Sequence, residues 1–219
     1  MNRRLLLKGL AAAPLAGLLL QQDALAAAAT RLVTKPHGLT PAAGATQFPN
    51  PTLLTQEGKS VRFYDDLIRG KQVMLNFFFA GCADVCPGVT QNLARVQKVL
   101  GDRIGRDIFM YSISLAPEHD TPLVLKTYAD GYHVKPGWTF LTGARGDIET
   151  LRRRFGLVDP DPKVDADKSQ HIGMVVMGND VLDRWMSCPG MGNPAVIAKS
   201  VGWLDTPVAL VASRVTAAA

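Results

Sequence analysis

The sequence predicts an α/β fold in one main domain, with helices covering a sheet that is partly parallel. Three observations carry that expectation: a continuous apolar run over Gln72–Phe79, a second over Asp107–Leu115, and a helix-spaced apolar stripe between them. Strands covered on both faces read as unbroken apolar runs. Strands alternating with helical segments are the pattern of helices layered on a sheet.

The elements follow in order. Thr52–Thr55 and Ser60–Phe63 flank the turn-like segment Gln56–Lys59 and predict an N-terminal hairpin. After the first core strand, Val89, Leu93, Val96, Val99 and Leu100 repeat at helical spacing within Gly88–Leu100. The second core strand leads to a helix over Thr121–Tyr132, with Asp120 placed as N-cap and Pro122 in the first turn. Trp138–Leu141 reads as a short strand, and Asp147–Phe155 as a helix stopped at Gly156. Asp159–Lys168 reads as a polar loop. Ile172–Met177 and Val181–Met186 flank Gly178-Asn179-Asp180, a hairpin signal, and a helix over Asn193–Trp203 closes the body. That order is the one a thioredoxin-like fold with an N-terminal hairpin and a C-terminal hairpin insertion would show.

Hydrophobic residues make up 47% of the 219 and charged residues 20%, enough apolar surface for a full core and no sign of a disordered body. The first 26 residues read as an export signal. Arg3, Arg4 and Lys8 precede a twelve-residue apolar stretch from Gly9 to Leu20, and Ala24-Leu25-Ala26 offers a small-x-small cleavage pattern. Asn2-Arg3-Arg4-Leu5-Leu6-Leu7-Lys8 resembles a twin-arginine signal. The apolar stretch is shorter than the roughly 20 residues a bilayer span needs. These features predict a periplasmic protein, with membrane association if the signal is kept. The expected organisation is a signal over 1–26, a flexible arm over 27–51 rich in Ala, Thr, Pro and Gly, a domain over 52–205 and a tail over 206–219. The formal charge of +5 falls further if the signal is removed, and its basic residues are scattered apart from Arg152-Arg153-Arg154, which reads as a solvated helix face. Nucleic acid is therefore not an expected partner.

Chemistry concentrates where the first core strand runs into Ala80-Gly81-Cys82-Ala83-Asp84-Val85-Cys86-Pro87 and then into a helix. Ligands gather at that end of a strand in α/β sheets. The helix N-terminus favours negative charge, so both thiols are expected to have lowered pKa values. Residues four apart on a helical turn point the same way, so the sulfurs of Cys82 and Cys86 can converge. Two thiolates suit Cu(I); they can equally close as a disulfide, catalytic or merely structural. Three cysteines allow at most one bridge within the chain.

The segment Phe77–Pro87, together with Ser112–Pro122 and Trp138–Gly143, resembles the Sco/SenC family of copper-binding, thioredoxin-like cytochrome c oxidase assembly proteins. The likeness covers roughly Thr52 to Asp183 in the family's order, and a Cys-x3-Cys-Pro element with Asp-Thr-Pro downstream is its most specific part. The resemblance implies a His just before a late strand as third copper ligand, and His171, in Ser169-Gln170-His171-Ile172, is the matching position. It implies copper, Cu(I) or Cu(II), as the bound ion; by residue type alone a Cys2His set would also accept zinc. Three positions depart from the family: Ala83 replaces a Pro, and Ala116 and Gln170 replace acidic residues. No ligand is lost, but groups that orient ligands are changed. His37, His119 and His133 read as solvated histidines. Met186, Cys188 and Met191 could form a second soft-metal site or simply pack in a loop.

Two functions remain, from different classes. One is a metallochaperone that takes copper from a donor protein and delivers it to the copper site of an acceptor such as an oxidase subunit. The other is a thiol-disulfide oxidoreductase in which Cys82 and Cys86 reduce the acceptor's cysteine pair. A thiol peroxidase ranks last, because no activated single-Cys pattern with Arg and Thr precedes Cys82.

Overall fold

The computed structural model describes residues 48–167 and 173–205. The signal segment, most of the arm, His37, Gln170, His171 and the tail lie outside the described residues.

The centre of the sheet is β3 (Gln72–Phe78), buried at every position, paired in parallel with β4 (Ile108–Ser114) from Gln72↔Ile108 to Phe78↔Ser114. β5 (Trp138–Gly143) extends the parallel set beyond β4. The hairpin of β1 (Thr52–Thr55) and β2 (Ser60–Arg62) lies antiparallel on β5 and closes that edge. On the other side, β6 (Met174–Asn179) runs antiparallel to β3, and β7 (Arg184–Pro189) antiparallel to β6. The order is β2-β1-β5-β4-β3-β6-β7. Within it, β4-β3-β6-β7 joins a parallel βαβ unit to an antiparallel ββα unit, the thioredoxin-like arrangement expected from the sequence.

Successive strand residues point to opposite faces, and β3 shows why both faces need covering. Met74 and Phe78 face one layer, while Val73, Leu75 and Phe77 face the other. The first layer is built by α1 (Val85–Leu100), α2 (Pro122–Gly131) and α5 (Pro194–Trp203), which bury Val89, Leu93, Val96, Leu125 and Val201. The second is built by α3 (Arg145–Arg154) and a π-helical turn over Phe63–Ile68, which bury Ile148, Leu151, Phe63 and Leu67. Polar positions on β3 are satisfied rather than exposed: Ser112 Oγ donates to Asn76 Oδ1 (2.7 Å), Trp138 Nε1 donates to Ser112 Oγ (2.9 Å), and Gln72 Nε2 donates to the Val201 carbonyl (2.7 Å).

Several boundaries move from those expected. α1 begins at Val85 rather than Gly88, so Cys86 lies in its first turn. Thr121, not Asp120, caps α2, its side chain accepting from the Val124 N–H (3.4 Å). The last hairpin turns later than predicted: β6 runs two residues further, to Asn179, whose Oδ1 accepts from Leu182 N–H (3.1 Å), Asp183 takes the positive φ of 49°, and β7 starts three residues later, at Arg184. β7 therefore runs to Pro189, and Cys188 sits in a strand rather than a loop. Within the expected polar loop, α4 (Pro162–Ala166) forms on an Asp161 cap, too short and polar to register as a periodic pattern.

The arginine trio is also not uniformly solvated. Arg153 is exposed, but the Arg152 side chain is only 5% accessible. Its guanidinium forks onto both Asp165 oxygens (2.6 Å each), reaches Glu149 (2.8 Å) and donates to the Leu157 carbonyl (2.9 Å). This bidentate pair fastens α4 to α3. Hydrogen bonds from Arg152, then from the Asp159 N–H, hold the Asp165 carboxyl well below the usual carboxylate range. A carboxylate depressed in the folded state stabilises the fold above its unfolded value of about 4 and loses that contribution as pH falls further. Urea titrations should therefore show stability falling from about pH 5 to about pH 3. Asp165→Asn should be destabilised by roughly 1.5 kcal/mol at neutral pH, having exchanged charge-assisted bonds to Arg152 for a neutral one, and show a flatter acid dependence. Parallel pH curves for the two proteins would contradict this assignment.

Candidate functional site

β3 ends at Phe78, and the chain makes a tight turn closed by Cys82 N–H donating to the Phe79 carbonyl (3.2 Å). Gly81, Ala83 and Asp84 form an exposed crest, while the Cys82 and Cys86 side chains turn inward, 8% and 5% exposed. The two side chains lie close enough to influence each other's charge state, and both join the core cluster of α1 with Phe78 and Val89. Convergence of the sulfurs is thus a fact of the fold, although only Cys86 is helical.

The expectation that the helix N-terminus lowers both thiol pKa values fails at Cys86. Burial is the largest influence and pushes this thiol up, and neighbouring Cys82 pushes the same way, against a smaller opposing effect from the Phe79 backbone. A partial positive charge at a helix end cannot offset loss of water around a buried thiolate. Cys86 therefore stays a neutral thiol until something replaces its proton; a soft cation is one such replacement, since a coordinating thiol is deprotonated outright.

Aromatic residues form the wall beside the pair. The Tyr128 ring lies 5.1 Å from Phe78, 5.9 Å from Phe140 and 4.8 Å from Tyr132, between centroids. Its hydroxyl is 2.9 Å from Thr90 Oγ1, one turn beyond Cys86 on α1. The Tyr128 hydroxyl is pushed above the ordinary phenol range, chiefly by burial, with Tyr132 adding to the rise and the Thr90 hydrogen bond opposing it. A groove of about 660 Å³ opens on the same side, lined by Ala80, Leu123, Val124 and Thr127 together with Tyr128 and Tyr132. Phe78 and Phe140 of this wall lie in the segments that carry the family resemblance, whereas Tyr128 and Tyr132 read in the sequence only as residues of a helix.

His171 lies outside the described residues. The chain is described again from Gly173, which packs so tightly on α1 that a Cβ there would stand 2.6 Å from Val89 and 3.1 Å from Val85. His119 and His133 are exposed. Cys188 is half-buried on β7 opposite Val175, and burial raises its thiol as well. Met186 packs near it against the same core, while Met191 is 60% exposed with its sulfur over Gly88. All three cysteines are free thiols, and among the described residues no group of three His, Cys, Asp or Glu side chains converges as a metal cage.

The family model described as SCO1/SenC matches residues 42–201. The chain belongs to the SCO1/SenC family. It is 34% identical over 101 residues to the SCO1 protein homolog of Bacillus subtilis, covering 45% of this chain and 50% of that protein. The chain spans about half the length of the curated relatives it matches. Two SCO1/SenC structures share its fold. BsSco, described as a Sco-family cytochrome c oxidase assembly protein with a disulfide switch, superposes with a TM-score of 0.57 at 27% identity, over 71% of this chain and 91% of that one. ScoI of Bradyrhizobium japonicum, solved with copper bound, gives 0.57 at 22% identity, over 71% and 99%.

The contact between Cys82 and Cys86 sets an expectation. Mild oxidation of the reduced, metal-free chain should consume two thiols and yield a Cys82–Cys86 bridge by peptide mapping, leaving Cys188 alkylatable. A bridge to Cys188 instead would mean that β7 and the cysteine loop exchange places in solution.

Proposed function

We propose that this chain is a copper carrier that binds one Cu ion through Cys82, Cys86 and His171 and hands it to the copper site of an exported acceptor, a respiratory oxidase subunit being the acceptor class its family indicates. The observation that carries the reading is the buried thiol pair at the junction of β3 and α1. Two soft donors already in contact favour Cu(I), and an imidazole supplies the harder donor that Cu(II) needs. Copper-bound ScoI supports the choice of ion at the level of the family.

Topology supports His171 as the third donor. β6 runs antiparallel to β3, with Asn76 opposite Val175, so β6 starts at the edge where β3 ends. Residue 171 is two residues from Gly173, and two residues of chain span at most about 7 Å. Gly173 itself packs on Val85 and Val89, flanking Cys86. Loading Cu(I) moves a proton from each thiol to solvent; transfer then proceeds by stepwise exchange of sulfur donors between carrier and acceptor. The twin-arginine-like leader suits this role, because an exported acceptor is met outside the cytoplasm.

The same pair supports thiol-disulfide exchange as a second reading. The two thiols would reduce an acceptor disulfide to two thiols while closing their own bridge, with two electrons and two protons conserved. His171 separates the two roles. The full chain should bind one Cu(I) against a chromogenic chelator, the Cys82→Ala/Cys86→Ala protein none, and His171→Ala should bind Cu at least about 10-fold more weakly. Copper retained by the double cysteine variant overturns the carrier reading. Unaltered copper affinity in His171→Ala, with intact disulfide reduction, moves the assignment to the oxidoreductase.

A further inference from the structure

The two parallel strands at the centre of the sheet both end at the cysteine loop, and a buried carboxylate joins their exits. The last paired residues are Phe78 and Ser114, after which Leu115 N–H donates back to the Phe78 carbonyl (2.7 Å). Beyond that point β3 has no ladder partner. Ala80 N–H donates instead to Asp120 Oδ2 at 3.0 Å. The same oxygen accepts from Ser114 Oγ at 2.5 Å, and Ser114 Oγ accepts from Ala116 N–H at 3.0 Å. One carboxylate oxygen thus ties the start of the cysteine loop to the end of β4.

Asp120 is 2% exposed, and no basic side chain is ion-paired with it among the described residues. A buried carboxylate lacking a cation is expensive. The sequence-based role for it, capping α2, is already filled by Thr121. Its bonds lead to the loop instead. Of the two sulfurs, Cys86 is held by a helix, whereas Cys82 depends on the turn that begins at Phe79 and Ala80.

We infer that Asp120 is a positioning residue that sets where the Cys82 sulfur stands relative to Cys86, gripping Ala80 N–H, with Ser114 orienting the carboxylate. It touches neither sulfur in this role; it acts through the backbone two residues upstream. The inference rests on the copper and thiol reading of the pair for its readout. Because the grip is a hydrogen bond to a backbone N–H, an amide oxygen can replace the carboxylate, and a methyl cannot.

The test measures two properties of the full chain: Cu(I) affinity by chelator competition, and the equilibrium constant of the Cys82/Cys86 dithiol against glutathione. Asp120→Ala should lose about 10-fold or more in Cu(I) affinity and shift the thiol equilibrium comparably, while Asp120→Asn stays within about 3-fold of the parent in both. Gln97→Ala serves as a stability control: it cuts a buried pair of bonds to Lys135 near the far end of α1, roughly 16 Å of helix from Cys86, and should lower the melting temperature without moving either readout. Should Asp120→Ala not fold, Ser114→Ala, which removes one donor to the carboxylate, is expected to lose about 3- to 10-fold. Parent-like affinity and equilibrium in the folded variant overturn the inference, as does a Gln97→Ala shift matching that of Asp120→Ala. A parent chain that takes up no Cu(I) would sink the copper reading alone, since the glutathione equilibrium still reports the positioning.

Discussion

The in-register parallel pairing of β3 with β4 is the constraint on which the rest of the site depends. It brings Phe78 and Ser114 side by side at one edge of the sheet, and every group near the cysteines is delivered from that edge. The cysteine loop leaves β3 there, Asp120 and α2 follow β4 there, and β6, antiparallel to β3, starts there. A slip of one residue between the two strands would send each side chain to the opposite layer. Ala80 would then lose its carboxylate partner, and the apolar residues now divided between the two layers would change sides.

Burial, more than helix electrostatics, sets the thiol chemistry of Cys86. A redox nucleophile benefits from a thiolate poised near neutral pH, as in exposed sites at helix termini. Cys86 is instead kept protonated by its apolar surroundings and by neighbouring Cys82. In the proposed role, a soft cation would take the place of the proton that burial holds on Cys86. The aromatic wall of Phe78, Tyr128 and Phe140 helps keep water out, and Tyr128 spends its hydroxyl on Thr90.

Much of this was legible in the sequence, for identifiable reasons. The core strands announced themselves because both faces of β3 are covered, and α1 because its buried positions repeat at helical spacing. The cysteine spacing fixed the candidate donors, and the fold brings those two together. What escaped was everything set by tertiary contact. Asp120 sits before a Thr-Pro helix start and reads as a cap, but its side chain crosses to Ala80. Arg152 is indistinguishable in sequence from its exposed neighbour Arg153, and only Asp165 arriving on α4 buries it. The sign of the Cys86 shift followed from burial, which local sequence does not carry, whereas the opposing helix terminus is a local feature and was seen.

The most direct measurement of the central claim is X-ray absorption on the full chain loaded with one equivalent of Cu(I). A carrier built on the buried pair requires two sulfur neighbours, both lost when Cys82 and Cys86 are replaced, with one imidazole nitrogen lost in His171→Ala. A copper ion surrounded by nitrogen and oxygen alone, or one whose sulfur shell survives replacement of both cysteines, would contradict it.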